Sequence, residues 1–260
     1  MKPNITSATG IGWLRDSWKI LKAYPIPMLG IVGFYFLLLL CASTLGVLVG
    51  IEEVGIILGS IVTPFGTVAF AAAGREISNN QRPNLVLCYM EGWKNLAVRN
   101  KLILLGMIYG LCVIGNGFLM NLLAKSSVEQ WKVVNGVYDL SSITANIPWT
   151  AIVVCGIFYA LILCVTCFSP LLVAWRDQPI GKAFFFSLFV CLRNIIPILA
   201  LGCALFFIAF AGIFVTQFLS QALGFLSLLT FLWGYFISAW FYSALWPMWV
   251  TFFGAENSRI

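Results

Sequence analysis

Few residues in the chain could carry chemistry. Glu52-Glu53 pairs two carboxylates, a set that could bind a cation or shuttle protons. Cys164-Val165-Thr166-Cys167 has the spacing of a redox or metal-binding cysteine pair. Asn116, Asn121, Gln217 and Gln221 are amides in or near long apolar stretches. Such amides make hydrogen bonds between helices, or they line a substrate cavity. There is no histidine, so the commonest general base and the commonest metal ligand are both missing. No nucleophile, base and orienting group recur at sensible spacing. The expectation is therefore a protein without enzymatic activity, cofactor or metal.

The surroundings of these residues weaken the sharper readings. Glu52-Glu53 falls in a short connection between two apolar stretches and reads as a polar hairpin tip. The cysteine pair lies inside an apolar helix and lacks a second ligand pair, so it reads as small, polarizable packing. The other cysteines fall in apolar segments or beside basic ones, and all eight are expected to be reduced thiols. Charged residues deep in the apolar stretches would mark an ion or proton path, and there are none.

Composition sets the elements that must position these groups. Of 260 residues, 61% are apolar and 9% are charged. A soluble domain carries about 25% charged residues. This chain cannot coat a water-soluble fold, which excludes a soluble enzyme, a disordered regulator and a nucleic-acid binder. Windows free of Asp, Glu, Lys and Arg run over 23–51, 54–74, 102–124, 140–175 and 194–255. The fourth enters the membrane near Pro148. The last fits two helices with a turn near Gln217–Gly224. At about 20 residues per crossing this gives six transmembrane helices. Arg15, Asp16, Lys19 and Lys22 interrupt the place where a cleavable signal peptide would need an apolar run, so the first span is expected to drive insertion.

Basic residues set the orientation. Lys2, Arg15, Lys19, Lys22, Arg75, Arg82, Lys94, Arg99, Lys101, Arg176, Lys182, Arg193 and Arg259 all fall on one side of this layout. Only Lys125 and Lys132 fall on the other. Both termini are expected in the cytoplasm of a bacterial cell, with the protein in the inner membrane and 125–147 as the largest outer loop.

Three segments align with one another. Trp18-Lys19-Ile20-Leu21-Lys22 leads through Pro25 into a span, Trp93-Lys94-Asn95-Leu96 through Arg99-Asn100 into a second, and Phe189 to Asn194 through Pro197 into a third. The even-numbered spans carry Pro64, Pro170 and Pro247 near the basic side. The reading is an all-α polytopic membrane protein. It forms a single membrane domain, 1–260, built from three parallel repeats of amphipathic interfacial helix plus transmembrane hairpin (about 10–76, 83–176 and 180–253). In the first, Ile11, Leu14, Trp18 and Leu21 share a face beside Arg15, Lys19 and Lys22. In the second, Leu85, Trp93 and Leu96 oppose Glu91, Lys94 and Arg99. In the third, Phe184, Phe185 and Phe186 make 180–194 apolar enough to bury. Basic tips on such helices reach lipid phosphates, so Arg15, Lys19, Lys22, Lys94, Arg99 and Arg193 are candidate contacts to headgroups or to a membrane partner. Three kinked spans would either open a vestibule or simply bend together.

Gly46/Gly50, Gly55/Gly59 and Gly106/Gly110 form GxxxG patterns inside spans, and they let helix backbones approach closely. Trp233, Tyr235, Trp240, Tyr242, Trp246 and Trp249 crowd the last span, as interface-belt and lipid-facing residues or as an acyl-chain groove.

The run Phe168-Ser-Pro-Leu-Leu-Val-Ala-Trp-Arg-Asp-Gln-Pro-Ile-Gly-Lys-Ala183, continued by Ser187 and Cys191-Leu-Arg-Asn194, resembles a family of uncharacterised proteobacterial inner-membrane proteins. Gly12-Trp13, Trp18, Lys22 and Pro25 fit the same family's amphipathic start. More distantly, the chain is similar to YciC-like proteins and to the membrane domains fused to some glycerophosphodiesterases. The resemblance implies location and fold, and no catalytic residues. The functional expectation is lipid or membrane-partner binding as a scaffold, assembly or protective factor. The alternative is a transporter or flippase for a small amphipathic or lipid substrate.

Overall fold

The computed structural model describes residues 6–134, 137–223 and 227–255. Six helices among them are long and apolar enough to cross a membrane. Helix α1 (Ser7–Ala23) precedes the hairpin α2 (Pro25–Val49) and α3 (Glu52–Ser78). Helix α4 (Leu85–Glu91) precedes α5 (Leu96–Val128), which pairs with α7 (Trp149–Thr166) and its continuation α8 (Ser169–Arg176). Helix α9 (Ile180–Arg193) precedes α10 (Ile195–Leu223), which pairs with α11 (Ser227–Ser243) and its continuation α12 (Leu245–Phe253). Between α5 and α7 lie a two-stranded ribbon, β1 (Val133–Val134) with β2 (Val137–Tyr138), and the short α6 (Leu140–Ala145). The final turn expected near Gln217–Gly224 falls partly outside the described residues, because α10 continues to Leu223.

The ends of these helices follow local chemistry. Pro25 opens α2, where its missing N–H costs nothing, and Gly50 closes it in the left-handed region at φ 74°. Asn84 and Asn95 cap α4 and α5, their side-chain oxygens accepting from Leu87 N at 3.2 Å and Ala97 N at 2.9 Å.

The core sits toward the side that carries most of the basic residues, here called the basic side. Half of the apolar window of α3 is buried, against 11–28% in the other five spans. From Pro64 to Ile77, α3 presents small residues, with Val68, Ala69, Ala71, Ala72 and Ala73 fully enclosed. Helix α8 is buried from Ser169 to Trp175, and α12 buries Leu245, Trp246, Met248 and Trp249. The three proline-bearing helix ends therefore pack into one solid cluster, and among the described residues no vestibule opens between them. Alanines on α3 make this possible, because a helix without bulk can be surrounded on several sides.

The prolines act differently in the three places. Helix α3 runs unbroken through Pro64, whereas α7 and α11 each stop before a new helix starts at Ser169 and Leu245. A broken helix frees backbone groups that lipid cannot satisfy. Ser187 on α9 repairs one break: its Oγ donates to Cys164 O at 2.7 Å and accepts from Phe168 N at 3.0 Å.

The amphipathic segments depart from the sequence reading. Helix α1 buries Gly10, Trp13, Ser17, Ile20 and Leu21, while Ile11 and Trp18 are exposed. The buried face is chosen by partners across the bundle. Trp13 Nε1 donates to Thr251 Oγ1 at 2.9 Å, and Trp240 Nε1 donates to Leu14 O and Ser17 Oγ at 3.2 and 3.0 Å. The segment 84–99 is not one helix, because α4 ends at Glu91 and α5 starts at Leu96. In α9 the buried face is Ala183, Ser187 and Cys191, and Phe185 and Phe186 are exposed. Small residues dock this helix, with Phe184 packed beside them against the core.

The glycines divide in the same way. Gly46 and Gly55 bring α2 and α3 into backbone contact, since a Cβ on Gly46 would lie 2.7 Å from Gly55 N. Gly106 and Gly110 press α5 onto α3 at Ser60 and Ile61 or Ile57. Gly59 faces only side chains, Leu39 and Ala42, at ordinary distances. Gly50 packs against nothing within 4 Å, and its role is the left-handed helix end.

Candidate functional site

Above the solid cluster, toward the side of the long 125–147 connection, the bundle opens. A groove of about 490 Å³ lies between α2, α3 and α5. Its α2 wall is Tyr35, Leu39, Ser43 and Val47. Its α3 wall runs from Glu52 through Gly55, Ile56, Gly59 and Ser60 to Thr63, and α5 adds Tyr109 and Val113. From Tyr35 to Val47 the wall spans roughly 18 Å at 1.5 Å per residue. Gly55 and Gly59 leave room for it. One carboxylate, Glu52, stands at its outer mouth, on the first turn of α3 where the helix dipole favours negative charge.

The inner end of the groove is lined by hydroxyls. Thr63 Oγ1 donates to Gly59 O at 3.1 Å, which spends its only proton. Tyr35 Oη, 3.2 Å away, is therefore the donor to Thr63. The Tyr242 ring on α11 packs edge-on against Tyr35 with centroids 5.7 Å apart, and stacks on Phe70 at 4.1 Å. Tyr109 on α5 adds a third hydroxyl to the lining. Hydroxyls from α2, α3 and α5 thus line the groove roughly 15–23 Å in from the basic ends of their helices. In a hydrocarbon core about 30 Å thick, that is mid-depth.

Pro64 adds a further polar feature. Proline has no N–H, so the carbonyl of Ser60 loses its helical donor. Gly106 of α5 lies directly against that carbonyl, where a Cβ would come within 2.7 Å of the oxygen.

A second polar cluster closes the basic side. Arg75 Nη2 lies 2.9 Å from Glu91 Oε1 and 3.1 Å from Oε2, and Trp175 Nε1 donates to Oε1 at 3.2 Å. The Arg75 guanidinium also sits 5.2 Å above the Trp175 ring. Burial pushes the Glu91 carboxyl above its usual range, and Arg75 opposes that rise. Burial, with the nearby Glu76 carboxylate, pushes the Cys88 thiol up to about 12, so it stays protonated at neutral pH. The cluster ties α3, α4 and α8 together.

The residues singled out in the sequence are scattered. Arg15, Lys19, Lys22, Lys94 and Arg193 are exposed on the basic side. Lys19 pairs with Asp16 at 2.9 Å beside a second cavity of about 490 Å³, between α1, the end of α3 and α12. Arg99 is half-buried, with its guanidinium 5.2 Å over Trp93. Asn116 is half-buried with its Oδ1 enclosed and without a partner, while Asn121 and Gln217 are exposed. The side chain of Gln221 lies outside the described residues. None of the three described amides lines the groove.

All eight cysteines are free thiols. The aromatics of α11 are tethers more than a belt. Trp233 Nε1 donates to Ala209 O at 3.1 Å, Tyr235 Oη donates to Leu29 O, and Trp240 holds α1. The tyrosine cluster escaped sequence reading because tyrosine in a span signals the interface. Depth was the signal that could have found it: Tyr35 and Tyr109 lie well inside their apolar windows.

No family model matches the chain, and no solved structure matches it. A probable inner membrane protein of Burkholderia thailandensis is 25% identical to it over 225 residues, which cover 85% of this chain and 80% of that protein. With six apolar spans, this similarity places the chain in the inner membrane as a multi-pass protein.

Proposed function

We propose that this inner-membrane protein binds lipid in the groove between α2, α3 and α5, without enzymatic activity, and serves as a scaffold, assembly or protective factor. The basic side faces the cytoplasm in this reading, so the groove opens in the outer half of the bilayer. The observation that carries the proposal is the contrast between the two halves of the bundle. In the cytoplasmic half α3, α8 and α12 pack solidly and the cavity beside them, between α1, α3 and α12, is edged by Asp16 and Lys19, whereas the outer half holds an open, mostly apolar groove with a polar inner end. Pockets of this kind, apolar with a few convergent polar groups, are where amphipathic ligands bind. The exposed Arg15, Lys19, Lys22, Lys94 and Arg193 supply contacts to anionic headgroups on the cytoplasmic face.

A transporter or flippase is the second reading, and the mid-depth hydroxyls favour it. Passage to the cytoplasm would require the enclosed Phe168, Leu171 and Trp249 to separate. That cost makes binding the better account of this geometry.

Native mass spectrometry of protein extracted with its lipids tests the proposal. Retained lipid is expected at a fixed stoichiometry. Ile56→Trp, at a half-open groove position, is expected to reduce retention at least five-fold while leaving the melting temperature within a few degrees. Equal retention by both proteins would overturn it.

A further inference from the structure

We infer that the inner end of the groove takes a neutral, oxygen-bearing head, a hydroxyl or a carbonyl, of an amphipath whose apolar part lies along α2 and α3. This rests on the lipid-binding reading above and narrows it to a ligand class. The inner end is lined by Tyr35, Ser60, Thr63 and Tyr109, all uncharged. The nearest ionisable groove residue is Glu52, roughly 16 Å away along α3. A phosphate or ammonium at this depth would lie unpaired in a low-dielectric site, at a cost of several kcal/mol. A neutral hydroxyl or carbonyl carries no such penalty once it is hydrogen-bonded.

Proton bookkeeping says what the site offers. Tyr35 spends its proton on Thr63, and Thr63 spends its own on Gly59 O. Tyr109 stands in the groove wall, where its hydroxyl proton serves a ligand oxygen and its lone pairs serve a ligand hydroxyl. A hydroxyl head can use both, and a carbonyl can use the first.

Photolabelling in nanodiscs tests this with two probes, a diazirine-bearing hexadecanol and a diazirine-bearing phosphatidylethanolamine, with adducts mapped by peptide mass spectrometry. The alcohol is expected to label 56–63 and 109–113 well above the lipid-facing stretch 206–214. Tyr35→Phe and Tyr109→Phe, which keep the rings and hold the melting temperature within a few degrees, are expected to lower that labelling at least five-fold. The phospholipid is expected to label both stretches alike, and the Phe variants should leave its pattern unchanged. If the Phe variants leave alcohol labelling intact, or the phospholipid labels the groove equally well, the neutral-head inference fails while lipid binding in the groove stands. If neither probe labels the groove above 206–214, both fail.

Discussion

Replacing Gly106 by valine is expected to lower stability in detergent by about 3 kcal/mol or more, the upper range for overpacking a tight interface. The added Cβ would lie 2.5 Å from Ile61 Cα and 2.7 Å from Ser60 O. Both are backbone atoms, so no side chain can rotate away and α5 must move off α3. That movement also uncovers the carbonyl freed by Pro64. Gly46→Val is expected to behave similarly, with contacts of 2.7 and 2.8 Å to Gly55 N and Cα. Gly115→Val is the control on the same helix, because nothing lies within 4 Å of its Cβ. Thermal unfolding of the three variants checks this. Equal midpoints for the Gly106 and Gly115 variants would show that the α3–α5 contact is loose.

Glu91→Ala is expected to cost about 3 kcal/mol, because it leaves the Arg75 guanidinium and the Trp175 N–H without their shared acceptor in a largely enclosed site. The Glu91 and Arg75 side chains are only 17% and 19% exposed, so solvent can replace little of what is lost. Asp177→Ala removes a second long-range ion pair among the described residues, Lys101–Asp177 at 2.6 Å. Asp177 is 76% exposed, and that loss is expected to stay within about 1 kcal/mol. The pH dependence has a definite sign. Burial raises the Glu91 pKa in the fold despite Arg75, so the folded state holds this proton more tightly than the unfolded chain. The stability linked to it is complete below the ordinary carboxylate range and falls as pH rises through the folded value. Glu91→Gln mimics the protonated form, so the difference in melting temperature between wild type and Glu91→Gln should shrink as pH is lowered. A difference that widens in acid would contradict this.

The spans were legible in the sequence because lipid imposes a long charge-free window on any helix that crosses it. Pro148 at the start of α7 could be read as well, and Pro64, Pro170 and Pro247 were readable as kinks, although α3 runs unbroken through the first and new helices start at the other two. Helix faces were less legible. Periodicity put Ile11, Leu14, Trp18 and Leu21 on one apolar face of α1; Leu21 is buried and Leu14 partly so, but Ile11 and Trp18 are exposed, and Trp13 and Ser17 are buried because Thr251 and Trp240 wait across the bundle. Those partners are more than two hundred residues away in sequence. The candidate site was hidden for a related reason. Tyr35, Thr63 and Tyr109 come from three different spans, and each tyrosine alone resembles an interface residue. Asn116 and Gln217 drew notice as amides, yet the hydroxyls are what converge. The glycine contacts were half readable: spacing marked Gly46 and Gly106, but only the packing separates them from Gly50 and Gly59.

The account rests on a mostly apolar groove that opens in the outer half of the bundle, so sidedness is its most direct test. With the exposed Cys41 and Cys203 replaced by alanine, single cysteines at Lys132 and at Asn80 can be challenged with a membrane-impermeant thiol reagent. The account predicts that Lys132→Cys reacts in cells whose outer envelope alone is permeabilised, and that Asn80→Cys reacts only after the inner membrane is broken. The reverse pattern would place the groove in the cytoplasmic leaflet and contradict it.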